Sequence, residues 1–583
     1  MTPNLQISQL VINRLKNLKN ECSGGLFGLM YSKNLIIMGF DLESSDKLNF
    51  KKMQDNFPTE IDLCGLFKFD ECSDAEAHMQ EILSCVDITD NPILLKVNRE
   101  RDNFELQASQ YRNGKLETIE YEIVSETEIY KQFFYARLIG YIELAADKCE
   151  KSIKNEFLSL RKRLASGNVI FKIKCANNNP IFFDTNNIIG LDQEANLSEI
   201  LEFTRVKKTD EGGKKSKKVE QTPSDFSVVN ITCLLKKSDE NDKNQRKSLN
   251  FILEKNRLLI PIKIDTLAAL HINTKAIALY DILIESLCRT LRLIEDNMLE
   301  QLERGKEVSV PSTYHFKPDN FGHFYTCIYA DAISDDNDYL KLKRRELHQQ
   351  LGIQLNKPVF RRANNYQFDV VNSSLLINPH VGLKSTVDGG KQSLVQGRYT
   401  YHHYMQDNFN DDGWGCAYRS LQTLCSWFRF QGYTEAKIPS HEDIQRYLVK
   451  VGDKQSNFIN SRQWIGSTEV AMCLNGFMNI ESKIMHVGSG TDLASKGSEL
   501  IYHFESQGTP IMIGGGVLAH TILGVDFNNS TGELKFLILD PHFTGADELN
   551  VVQNKGWCGW KGINFWDKNS YYNLCMPQKP VIF

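Results

Sequence analysis

Hydrophobic and polar positions change period several times along the chain. Leu10 to Leu18 carries the three-to-four spacing of a short amphipathic helix. GLFGLMY and NLIIMGF flank Ser32-Lys33-Asn34 and predict a hairpin. IDLCGLFKF and NPILLKV read as further buried strands. From Lys131 to Leu164 a helical period surfaces in places, broken at Gly140. Between Ala276 and Leu302, the residues Tyr280, Leu283, Ile284, Leu287, Leu291, Ile294 and Met298 recur at steps of three or four. That spacing predicts a long core helix lying on a sheet. Ala417, Leu421, Leu424, Cys425 and Phe428 define another helix face, with Gly432 as its stop. Leu534 to Leu539 is an apolar run of strand length that ends at Asp540-Pro541-His542. In TPIMIGGGVLAHTILGVDF, two β-type runs flank Gly514-Gly515-Gly516, which reads as a mobile or close-approach loop. The class is α+β.

Composition then divides the chain. All six tryptophans lie between Trp414 and Trp566, and 19 of the 37 glycines fall in the last 183 residues. This marks a separate, closely packed C-terminal domain, expected at 390–583. Before it we expect an N-terminal α+β region at 1–205, a charged and partly disordered insertion at 206–250, and a remainder with its connection at 251–380. VKKTDEGGKKSKKVEQTPS, from Val206, holds six lysines and nothing to bury. KKSKK fits a nuclear signal or a polyanion contact, but a solvated loop is favoured. The run from Lys236, KKSDENDKNQRK, reads as a surface hairpin or loop.

With 68 basic and 73 acidic residues the net charge is −5, which argues against a chain built to coat nucleic acid. Fourteen cysteines in 583 residues, with no CxxC pair, point to free thiols rather than a disulfide scaffold or zinc ribbon. The start, MTPNLQISQLVINRL, has no signal-peptide pattern, and no stretch is apolar for long enough to span a bilayer.

The candidate chemistry lies in YHHYMQDNFNDDGWGCAYRSLQT, from Tyr401. Cys416 falls in the first turn of its helix, where free N–H groups and the dipole favour a thiolate. Gly413 and Gly415 leave the approach to the sulfur bare. A buried, inert thiol is the competing reading. Asp540 and His542, two apart at a strand end, face the same side. They can form the orienter and base of a Cys-His-Asp triad. A surface-turn histidine is the alternative. His520, within a strand-like run, is expected near the site but structural, and His402 and His403 also compete as the base. No HExxH or clustered Cys/His spacing supports a metal, and no cofactor is expected.

YHHYMQD, DDGWGCAYRSLQT, GGGVLAHTILGVD and LILDPH, in that order, resemble the cysteine proteases specific for ubiquitin-fold modifier 1. The long N-terminal part is similar to that of the family's second, longer type. The resemblance covers roughly residues 395 to 575 and implies a papain-like catalytic domain. It implies Cys416 as nucleophile, His542 as general base and then acid, Asp540 as its orienter, and Tyr404 as an oxyanion donor with a backbone N–H at Cys416. The implied substrate is a modifier whose tail ends in glycine, released from its precursor or from target lysines. Trp414, Gly415, Gly514, Gly515, Gly516 and His520 are candidates to line the tail slot. IDLCGLFKFDECSDAEA resembles an MPN-like domain lacking the metal ligands of active MPN proteases, which implies a metal-free binding module. The family resemblance further implies a cytoplasmic chain recruited to the endoplasmic reticulum by a membrane-anchored adaptor. Two rival readings stand beside it. One is an autophagin-type protease, which shares a GWGC-like nucleophile and an Asp-Pro-His box. The other is a non-catalytic scaffold that only binds the modifier.

Overall fold

The computed structural model describes residues 4–581 apart from 19–21, 43–52, 70–78, 81, 101–102, 177, 186, 205–225, 237–256, 306, 319, 356 and 369–374. Two units divide the chain, Met1–Gln354 and Leu355–Phe583.

In the first unit, the N-terminal apolar runs pair into one sheet. Its strands are β1 (Asn4–Ser8), β2 (Ser23–Tyr31), β3 (Asn34–Leu42), β4 (Ile61–Phe69), β5 (Ile93–Glu100), β6 (Asn103–Arg112), β7 (Lys115–Thr118) and β8 (Tyr121–Val124). They run in the order β7-β6-β5-β4-β2-β3-β1-β8. The expected hairpin is β2–β3, antiparallel, with Ser32 at φ 56° in its turn. Helix α1 (Gln9–Lys16) is capped by the Ser8 hydroxyl and buries Val11, Ile12 and Leu15.

A second sheet contains β9 (Phe133–Asp147), β10 (Val169–Ile173), β11 (Ile181–Phe183), β12 (Ile188–Ile189), β13 (Val228–Leu235) and β14 (Arg257–His271), in the order β12-β11-β10-β13-β9-β14. Helices α2 (Glu150–Ala165) and α3 (Leu279–Glu303) share its core. The long helix forms as the spacing predicts, with Tyr280, Leu283, Leu287, Leu291, Ile294 and Met298 all buried. A two-stranded ribbon, β15 (Pro311–Phe316) with β16 (Tyr325–Ala330), completes the strands of this unit.

Two expectations change here. The segment read as broken helix from Lys131 to Leu164 divides in two: its first half is strand β9, and its second half is helix α2, as the period predicts. Phe134, Ala136, Leu138, Ile142, Leu144 and Ala146 alternate into the core, and β14 pairs with β9 along its whole length. Apolar side chains on the outer face, Ile139 and Tyr141, hide that alternation in the sequence. The expected insertion at 206–250 contains β13, an internal strand of the second sheet, so one sheet runs through the boundaries expected at 205 and 251. VVNITCLL is β-prone between its charged flanks. The lysine-rich run at 206–224 lies outside the described residues. So does the charged run beyond Lys236, whose own ammonium bonds Asp184 at 2.6 Å.

In the second unit, β17 (Lys391–Leu394), β18 (Ser482–Val487), β19 (Ile511–Gly515), β20 (Leu518–Phe527), β21 (Leu534–Leu539), β22 (Cys558–Gly562) and β23 (Tyr572–Pro577) form one sheet. Its order is β18-β23-β19-β20-β21-β22, with β17 added beside β20. Helix α4 (Cys416–Phe430) packs on β19 and β20 and against α6 (Ser467–Met478); α5 (His441–Lys450) packs on α6. A second core, with α7 (Gly497–Ser506), covers other side chains of the same strands. Every residue of α4 from Cys416 to Phe428 is buried, so the helix is held on all sides. The glycine run is a tight hairpin rather than a loop, and the close approach expected of it is met at Gly515. Gly514 and Gly515 pair with Ala519 and Leu518, and only Gly516, at φ 60°, and Val517 turn the chain. A side chain at Gly515 would meet the Tyr572 ring at 2.2 Å, so this glycine answers a packing need.

Candidate active site

The site forms where the tip of α4 meets the end of β21. Cys416 is the first residue of α4, with Gly415 as N-cap and no side-chain cap on the free N–H groups. β21 stops at Leu539 because Pro541 has no N–H to offer a ladder. Asp540 and His542 then stand at its end. Asp540 Oδ1 accepts from the His542 backbone N–H at 3.0 Å and lies 2.6 Å from His542 Nδ1. His542 Nε2 is buried and makes no conventional hydrogen bond.

Burial raises the Cys416 thiol pKa, but interaction with His542, Tyr404 and the Ala519 backbone outweighs it, and the net shift is downward. Burial alone would lower the His542 pKa. Asp540 and the Cys416 sulfur outweigh that and raise it to about 9. Tyr404 moves up, through burial and then its proximity to Cys416. The lowered thiol and the raised imidazole both favour the thiolate–imidazolium form of the pair, and the raised phenol favours a neutral Tyr404. Tyr404 is fixed from the other direction as well. Its backbone N–H donates to the Pro541 carbonyl at 3.0 Å, and its ring meets the His542 ring edge to face at 5.3 Å.

The competing histidines separate cleanly. His520 is buried with Nε2 3.9 Å from Asp540 Oδ2, its ring 5.2 Å from that of His542, and burial lowers its pKa to about 4. It lies behind the carboxylate as a neutral imidazole. His402 is tied to Thr400 Oγ1 at 2.9 Å, and burial lowers its pKa to about 3. His403 faces the carbonyls of Tyr404 and Phe543, with Nε2 3.3 Å from Asp547. Ligand atoms of His520, Asp540 and His542 lie within 4.8 Å of one another, but the Asp540–His542 hydrogen bond already occupies the facing pair.

Among the slot candidates, Trp414 is buried, its ring edge-on to Phe409 and Tyr418. The exposed indole nearby is Trp464, whose Nε1 donates to the Gly413 carbonyl at 3.3 Å. Gly415 is packed under Cys416, where a Cβ would sit 2.5 Å from Asp411 Oδ2. Reading the sequence missed two contributors. The Ala519 backbone carries no side-chain signal. Asp411 lies in a turn, and nothing in the residue order marks it as the partner of Met405 and Arg419.

This geometry defines a papain-like thiol protease domain. The comparisons agree. A profile of peptidase family C78 matches residues 390–575, one of the insect UFM1-specific protease N-terminal MPN-like domain matches 1–129, and one of the ubiquitin-fold modifier 1 specific protease 2 N-terminal region matches 154–374. The probable Ufm1-specific protease 2 of Drosophila melanogaster is 45% identical over all of both chains. The Ufm1-specific protease 2 of Homo sapiens is 40% identical over 74% of this chain and 93% of its own. The crystal structure of UfSP from C. elegans superposes with a TM-score of 0.64 at 24% identity, covering 100% and 99% of the two chains, and shares the fold. The chain belongs to the Ufm1-specific protease 2 family, within peptidase family C78. It is a cysteine protease with an MPN-like N-terminal domain.

Proposed function

We propose that the chain trims the Ufm1 precursor and removes Ufm1 from target lysines, with Cys416 as nucleophile, His542 as proton carrier, Asp540 as its orienter and Tyr404 as oxyanion donor. The observation that carries this reading is the meeting of Cys416 and Tyr404 with the Asp540–His542 pair at one helix tip and one strand end. The family relationship supports the choice of substrate.

The Cys416 thiolate attacks the carbonyl carbon of the terminal glycine, and the C–O π electrons move to oxygen. The Tyr404 hydroxyl and the Cys416 backbone N–H donate to that oxyanion. His542, already an imidazolium, gives its Nε2 proton to the leaving amine as the C–N bond breaks, leaving a thioester. Neutral His542 then takes a proton from water, whose oxygen attacks the thioester. The carboxylate of the modifier leaves and the thiolate–imidazolium pair returns. Peptide and isopeptide bonds differ only in the departing amine, so one site serves both. A tail ending in glycine suits an approach past Gly413, where no atom stands within 4 Å of the place a side chain would take.

The decisive experiment is a panel of ubiquitin-like modifier precursors offered to the intact chain, with a tail-derived electrophilic probe alongside. Cleavage of the Ufm1 precursor alone, and a mass shift at Cys416, are expected. Cleavage of the autophagy modifier alone, or a folded protein that takes no label, overturns the reading. Tyr404→Phe is expected to lower kcat by roughly 10²–10³-fold while iodoacetamide still alkylates Cys416. His520→Ala is expected to slow turnover less than His542→Ala, since His520 reaches only the far side of Asp540. The reverse ranking in a steady-state assay would reassign the proton carrier.

Among the described residues no helix is long and apolar enough to cross a membrane. On the strength of the family relationship alone, we propose that the chain is cytoplasmic, attached to the endoplasmic reticulum by a membrane-anchored adaptor.

A further inference from the structure

Asp411 belongs to none of the groups given a role above, yet it ties both halves of the reactive geometry together. Its side chain is fully buried. Oδ1 accepts from the Met405 backbone N–H at 2.8 Å, directly after Tyr404. Oδ2 accepts from Arg419 Nε at 2.6 Å, and His441 Nε2 lies 3.1 Å away. Its main-chain carbonyl accepts from the Gly415 N–H at 2.8 Å, directly before Cys416. One residue therefore holds the chain beside Tyr404 and the chain beside Cys416 at once.

The segment it holds does not hold itself. Met405, Asp407 and Asn408 sit at φ 63°, 60° and 55°, the left-handed region that non-glycine residues rarely adopt. Such conformations persist where surrounding contacts over-determine them. The contacts here include the Met405 N–H to Asp411, the Arg419 Nη2 donation to the Gln406 carbonyl at 3.0 Å and the Arg419 Nη1 donation to Asp407 Oδ2 at 3.1 Å. Gly415 leaves room for the carboxylate, since a Cβ there would sit 2.5 Å from Oδ2.

We propose that Asp411 is a positioning residue that sets the Tyr404 hydroxyl against the Cys416 sulfur, so that the oxyanion contact is in place before substrate arrives. This rests on the reading of Tyr404 and Cys416 given above. Because Asp411 acts through Tyr404, its loss should be felt in the chemical step and only where Tyr404 is intact.

The test is a kinetic double-mutant cycle in the full chain, with Asp411→Asn, Tyr404→Phe and the pair, using a fluorogenic Ufm1-tail substrate. Asp411→Asn is expected to lower kcat by roughly 10–100-fold, with KM within about twofold. In the Tyr404→Phe background the same change should cost less than about threefold. The limiting rate of Cys416 alkylation by iodoacetamide at high pH should stay at the wild-type value, with its midpoint rising no further than in Tyr404→Phe, since the phenol also helps lower the thiol pKa. Additive losses, a loss confined to KM, or a matching fall in Cys416 alkylation would each overturn the proposal. Thermal unfolding reports whether the Asn variant folds. If it does not, Asp411→Glu keeps a charge opposite Arg419 and goes through the same cycle with the same expectations. A silent Tyr404→Phe would fail the parent reading and this one together, whereas a slow Tyr404→Phe beside an unaffected Asp411→Asn would fail this one alone.

Discussion

Cys416→Ala is expected to lower cleavage of the Ufm1 precursor by roughly 10⁶-fold, below detection, while a folded chain still binds the modifier. The size of the effect follows from the mechanism. Without the sulfur no thioester forms, and water must attack the peptide bond unaided. Binding should survive because the change removes one buried atom at a helix tip whose remaining turns are packed on all sides. Alanine is also the better helix former at that position. Turnover of a fluorogenic tail substrate measures the loss, and titration calorimetry against Ufm1 measures retained binding. Binding that falls in step with activity would make the cysteine structural.

His542→Ala carries the second largest expected loss, roughly 10²–10⁴-fold from proton transfer alone. The thiolate should suffer too. Burial is the largest influence on the Cys416 thiol and raises its pKa, and His542 is the first of the groups that bring it down. Removing the imidazole should therefore move Cys416 alkylation to higher pH. In the intact site, activity needs Cys416 ionised and His542 protonated. The kcat/KM profile should rise with pH through the lowered thiol pKa and fall again near pH 9, where the imidazolium loses its proton. Asp540→Asn removes the hydrogen bond that most opposes the burial of His542, so the falling limb should shift to lower pH. A falling limb that stays near 9 in that variant would leave the orienting role without support.

Much of this was legible in the sequence because the signals are local. A helical period beginning at Cys416 places the sulfur in a first turn, and an apolar run ending in Asp-Pro-His places a carboxylate and an imidazole two residues apart at a strand end. What escaped depends on partners far along the chain. His403 is an unremarkable histidine until Asp547, 144 residues on, stands beside it. Phe133–Asp147 looks helical until the matching length of β14 pairs with it. Gly515 reads as a loop residue until Tyr572 fills the space a side chain would need. Asp411 escaped for a different reason: Met405, Gly415 and Arg419 are near it in sequence but converge on it only once the turn between them forms.

The bond from the Tyr404 N–H to the Pro541 carbonyl has a wider meaning. It splices Tyr404, the proposed oxyanion donor, to the segment that carries the imidazole, so a displacement of one drags the other. Damage to that splice should silence every substrate together rather than switch preference among them.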